Sequence, residues 1–169
     1  MKNSLLIALF MVSVISVHAN EKKTARKEKK AEKEAKLVEQ TTTLLEEQTW
    51  YFDATQMLPS RGQSRSIMNY SVVIKDGNIY SYLPYQGRTY SGGYGETDSP
   101  LHFEAPIEEY SVSEGKKGGY IIRNKAKNKQ ETIEYTINVA SKGSVSLSAQ
   151  STNRTHISFN GNLMPIPSA

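Results

Sequence analysis

At 169 residues the chain has room for one domain with appendages, and its lack of cysteine excludes disulfides, thiolate metal sites and thiol nucleophiles. The formal net charge of +4 suggests a nucleic-acid partner until the charge is located. Residues 21–36 carry eight basic and four acidic side chains, whereas the chain from Leu37 onward carries twelve basic and thirteen acidic, so the body lacks the basic face that nucleic acid requires.

The first element is a predicted secretory signal over residues 1–19. Met1 to Asn3 is a short positive start, Ser4 to Ser16 is an uncharged apolar run, and Val17 and Ala19 are the small residues a signal peptidase accepts. The run is shorter than the about 20 apolar residues of a spanning helix, so no transmembrane span is expected in the mature chain. No cysteine stands at the cleavage point, so the chain is not read as a lipoprotein. The expected location is periplasmic or secreted.

Residues 20–47 read as a charged arm, helical or disordered. Lys, Glu and Ala favour a helix, and Glu32 and Lys36 stand one turn apart. The apolar content is too low to bury much. A weak contact of residues 21–36 with an anionic surface is the sharper reading of this run. "LVEQTTTLLEEQ" (37–48) extends the helix until its threonines weaken it.

From residue 48 to 169 the apolar period is two. "TWYFDATQM" (49–57) sets Trp50, Phe52 and Ala54 on one face. "MNYSVVIKDGNIYSYLPY" (68–85) is a hairpin turning at Asp76-Gly77. That turn pairs Ile74 with Ile79 and Val72 with Ser81; a turn at Gly77-Asn78 instead would shift the register by two, and either one sends Tyr70, Leu83 and Tyr85 inward with them. "LHFEAPIEEYSV" (101–112) starts with Leu101, Phe103 and Ala105 inward, and Pro106 marks an edge or a bulge. "GGYIIRN" (118–124) is expected to place Tyr120 and Ile122 opposite Tyr135 and Ile133. "ETIEYTINVA" (131–140) alternates strictly, and Val139 faces Val145 if residues 141–143 form a loop closed by Gly143. "THISFNG" (155–161) ends the sheet with Ile157 and Phe159. The prediction is one all-β domain of about eight strands, an antiparallel sandwich or barrel.

Five of the ten tyrosines lie in "YSYLPYQGRTYSGGYG" (80–95). Here a strand runs out into a Gly-rich loop after Pro84. Tyr80, Tyr82, Gln86, Arg88, Tyr90 and Tyr94 are the candidate binding residues, since tyrosine gives large contact area with a polar tip and Arg grips carboxylates. The plainer alternative is that Tyr85 and Tyr90 build the sheet and the glycines make turns. No catalytic set stands out. Glu108 and Glu109 are strand neighbours, expected on opposite faces. Asp53, Glu96, Asp98 and Glu104 have no fixed separation, and His102 and His156 are isolated from each other. No phosphate loop follows a strand, so neither a cofactor nor a metal is expected.

"NYSVVIKDGNIYSYLPYQGRTY" (69–90), "PIEEYSV" (106–112), "KKGGY" (116–120) and "STNRTHISFNG" (151–161) together resemble the exported bacterial domain-of-unknown-function family 4251. Leu83, Pro84, Tyr85, Gly87, Arg88 and Tyr90 stand where that family's Leu-Pro-Tyr-aromatic-Gly-Arg-Ala-Tyr signature has them. Gln86 and Thr89 depart from it. The resemblance implies export and a β-rich fold and supplies no activity. The leading reading is a non-catalytic binding or interaction module for an envelope sugar, peptide or protein. A hydrolase of envelope sugars or peptides and a structural envelope component are the alternatives.

Overall fold

The computed structural model describes residues 26–33, 35–88, 99–128, 131–140 and 143–167. The predicted signal peptide, and residues 89–98 with Tyr90 and Tyr94, lie outside these. Two compact units divide the chain, Met1–Leu37 and Val38–Ala169. In the first, residues 26–33 and 35–37 are helical, and Lys36 Nζ meets Glu32 Oε1 at 2.9 Å, the one-turn pair that the spacing predicts.

The second unit starts ten residues before the expected strand boundary, with helical residues 38–46. Among the described residues it then forms eight strands: β1 (Trp50–Pro59), β2 (Arg65–Lys75), β3 (Asn78–Tyr82), β4 (His102–Glu114), β5 (Tyr120–Asn128), β6 (Glu131–Val139), β7 (Val145–Ser151) and β8 (Ile157–Met164). Each pairs antiparallel with the next, and β8 pairs with β1, so the sheet is a closed barrel rather than a sandwich.

The alternation read from the sequence decides what fills it. Trp50, Phe52, Val72, Ile74, Ile79, Ile133, Ile137, Leu147, Ile157 and Phe159 are fully buried. The β2–β3 hairpin turns at Asp76-Gly77, both with positive φ (52° and 74°), and pairs Ile74 with Ile79 and Val72 with Ser81 as expected. Val139 faces Val145, and Gly143 takes a φ of 85° while its N–H donates to Ala140 O.

Three expectations change. The β5–β6 register is four residues away from the one expected: Ile122 faces Ile137, Asn124 faces Tyr135 and Ala126 faces Ile133. This register makes a nine-residue ladder, and it brings Asn124 and Ala126 inside although neither looks like a core residue. For Pro106, expected at an edge or a bulge, only the edge reading fails, because a closed barrel has none. It pairs with Asn78 at the start of β3, just before a bulge that shifts the β4–β5 register between Ile107 and Glu109. The arm is not wholly solvated: Thr41 and Leu45 are buried, and Leu45 belongs to the core.

That last contact defines one end of the barrel. Tyr110 Oη donates to Leu45 O at 3.3 Å and receives the indole N–H of Trp50 at 3.2 Å. Thr42 Oγ1 meets Tyr120 Oη at 2.6 Å. The helical residues 38–46 therefore plug the end where β1 and β5 begin. At the opposite end β3 gives way to residues 83–88.

Candidate functional site

β3 ends at Tyr82, and the ladder stops before Pro84, which has no N–H to donate. Leu83 still turns into the core. The chain then leaves the sheet and meets the connection between β7 and β8. Tyr85 Oη reaches Thr155 O at 3.0 Å and Arg88 O at 3.1 Å. Arg88 N donates to Thr155 Oγ1, and Thr155 N donates to Arg88 O, each at 3.1 Å. In the order of the barrel, β3 and β8 are separated by β1 and β2. Residues 83–88 therefore form a strap from one wall of this end to the other.

The strap explains its own composition. A Cβ on residue 87 would collide with Tyr85 Oη and Thr155 Oγ1, so any larger residue must push the strap's own hydrogen-bonding groups aside. Tyr85, expected to pack inward, packs partly against the core and uses its hydroxyl on the strap. The Arg154 guanidinium lies 5.8 Å from its ring centroid. Leu83, Tyr85 and Gly87 thus have structural roles at this end of the barrel.

Behind the strap stands a network that the sequence does not advertise. Arg154, 7% exposed, grips Glu131 through Nε (3.0 and 3.1 Å) and Nη2 (2.8 Å). Ser151 Oγ donates to Glu131 Oε2 at 2.6 Å. Burial pushes the Glu131 carboxyl up, but the hydrogen bonds of Arg154 and Ser151 and the Arg154 charge outweigh it, and its pKa falls below the ordinary value. An arginine in a polar run between strands reads as exposed. The only hint was an acid at the start of β6, the same end of the barrel.

The candidate residues divide by role. Tyr80 and Tyr82 face outward on β3, as their parity required, and are 38% and 47% exposed. Tyr82 stacks on Tyr70, with centroids 5.4 Å apart, and meets His102 edge-on at 4.5 Å. Tyr70, expected inward, is half-buried and divides its ring between the core and Tyr82. Glu104 beside Tyr80 pushes that phenol's pKa up. Gln86 and Arg88 are exposed. Tyr90 and Tyr94 lie outside the described residues.

Two groupings bear on catalysis. Ser60 Oγ is 3.3 Å from His156 Nδ1 but donates its proton to His156's own carbonyl. The β4 bulge breaks the expected alternation, so Glu108 and Glu109 line one recess of about 500 Å³ together with Arg123, Lys125 and Glu134. Lys125 Nζ binds Glu109 at 2.8 Å, and this bond holds the lysine pKa up. Among the described residues no three histidines or carboxylates are grouped to hold a metal, and no helix is long and apolar enough to cross a membrane.

A family model described as "Domain of unknown function (DUF4251)" matches residues 28–163. A crystal structure of a DUF4251 family protein from Bacteroides eggerthii DSM 20697 is similar in fold, with a TM-score of 0.58 and 12% identity over 76% of this chain and 87% of that one. No curated protein matches the chain.

Proposed function

The chain belongs to the DUF4251 family, and from that premise we propose that it is an exported, non-catalytic binding module of the cell envelope whose contact surface is the strapped end of the barrel. The observation that supports this most is the double hold on Arg88. Its backbone N–H and carbonyl are both bonded to Thr155, while its side chain stays exposed. A loop fixed in this way pays little ordering entropy on binding. On β3, where the strap begins, Tyr82 sits braced between Tyr70 and His102, and arginine and tyrosine are the residues that concentrate binding energy. The hydrolase reading gains less, because the Ser60 proton points away from the imidazole and Glu109 is neutralised by Lys125.

Retention of envelope components on immobilised protein, or a glycan and peptide array, tests the reading. Wild type is expected to retain a component that Tyr82→Ala and Arg88→Ala lose while melting like wild type. If both variants bind as wild type does, the strapped end is not the contact surface.

A further inference from the structure

The described parts of three connections at the strapped end carry charge of one sign. Across the described stretches Met57–Ser66, Leu83–Arg88 and Ser151–Ile157, the formally charged side chains are Arg61, Arg65, Arg88 and Arg154. Glu131, the acid that meets them from β6, is already taken by buried Arg154 through three hydrogen bonds. Arg61, Arg65 and Arg88 are exposed. Glu96 and Asp98 belong to residues 89–98, outside the described residues, and form no part of the site considered.

Hydrogen bonding brings the three arginines to one rim. The loop between β1 and β2 is tied down where Ser60 donates to His156 O, and the strap is tied down at Thr155, the residue before. Pro59 pairs with Ile157, which fixes the same level on β8. Arg61 and Arg88 therefore leave the backbone beside consecutive residues of one connection. Arg65 follows at the start of β2, where it pairs with Met57. The strap spans from β3 to this connection, and the β1–β2 loop lies between.

We infer that this rim binds acidic groups, with Arg61, Arg65 and Arg88 holding the carboxylates or phosphates of an acidic polymer. The inference rests on the binding-module reading and names the ligand class of that same site. A guanidinium offers two parallel N–H donors that match a carboxylate or phosphate. Three of them, two at the β1–β2 connection and one on the strap, favour a ligand with repeated acids over a single small anion. The body as a whole is nearly neutral, so the binding is local to this end.

The test uses the mature chain, with polygalacturonate as the carboxylate probe, polyphosphate as the phosphate probe and dextran as the uncharged control. Dissociation constants are measured at about 50 mM salt and then at rising salt. Wild type is expected to bind one of the two polyanions and not dextran, and the preferred one identifies the acid. Arg61→Gln, Arg65→Gln and Arg88→Gln combined should weaken binding about tenfold or more. The slope of log Kd against log salt should flatten by about 2, at ~0.7 per lost contact. The Arg→Lys triple keeps charge without the fork and is expected to fall between. Neutralising Lys22, Lys23, Lys27, Lys29 and Lys30 to glutamine separates the basic arm from the rim and should leave the arginine-dependent part intact.

If the triple variant binds both polyanions as wild type does, or the arm variant removes all binding, the inference is overturned. The binding-module reading survives that result if a neutral array component is still lost on Tyr82→Ala. If no component is retained at all, both fall.

Discussion

Leu45→Ala tests whether the end of the helix belongs to the barrel. Leu45 is 2% exposed, and its carbonyl accepts the Tyr110 hydroxyl that also receives the Trp50 indole. Truncation of a buried leucine costs about 2–5 kcal/mol through lost transfer energy and a residual cavity. The site lies at the barrel's end rather than mid-core, where neighbours collapse more easily, so the lower half of that range, about 2–3 kcal/mol, is expected. For a unit of this size each kcal/mol moves Tm by roughly 3–5 °C, giving a fall of about 10 °C by circular dichroism. Deleting residues 20–37 should leave Tm nearly unchanged, because residues 26–33, 35 and 36 are exposed. Deleting 20–47 should cost more than Leu45→Ala, since it also removes Thr41 and the Thr42–Tyr120 bond. If the longer deletion melts like wild type, the helical residues 38–46 do not plug the barrel, and the packing argument fails.

Gly87→Ala is expected to cost about 1–3 kcal/mol by overpacking and to free the strap, read as faster proteolysis at residues 83–88. Glu131 titrates below its ordinary value, so its contribution is present above about pH 4.5 and lost as pH falls through the lower folded value. Chemical denaturation of Glu131→Gln should therefore show about 2–3 kcal/mol less stability than wild type at pH 7, with the gap closing as pH falls below the ordinary value of 4.5. Asn124 is buried, and neither its amide nitrogen nor its oxygen finds a hydrogen-bond partner. Asn124→Leu should consequently be neutral or raise stability by about 1–3 kcal/mol, and a loss of that size would show that the amide is satisfied inside the barrel.

Much of the barrel was legible because alternation is a local signal. Parity placed Trp50, Phe52, Val72, Ile74, Ile137 and Phe159 inward, and Asp76-Gly77 named its own turn. Errors came where the signal is not local. Asn124 and Ala126 occupy interior positions that hydrophobicity does not mark, so the β5–β6 register slipped by four. The threonines before Leu44 and Leu45 looked like the end of a helix, whereas Thr41 is buried and Thr42 bonds Tyr120 across 78 positions. At the candidate site the outward parity of Tyr80 and Tyr82 could be read. The strap could not, because it depends on Tyr85 and Arg88 meeting Thr155 some 70 positions away. Arg154 with Glu131 was hidden for the same reason: an ion pair between a connection and the start of a distant strand leaves no spacing rule in the sequence.

The hold on Arg88 is what separates a presenting strap from an ordinary turn, and amide hydrogen exchange measures it directly. Two hydrogen bonds to Thr155, worth about 1 kcal/mol each, should slow exchange at the Arg88 amide about thirtyfold against the unstructured rate. In Thr155→Val, which removes the acceptor of that amide, the protection should vanish while the Ile137 amide exchanges as in wild type. An Arg88 amide that exchanges at the unstructured rate in the wild-type protein would contradict the account.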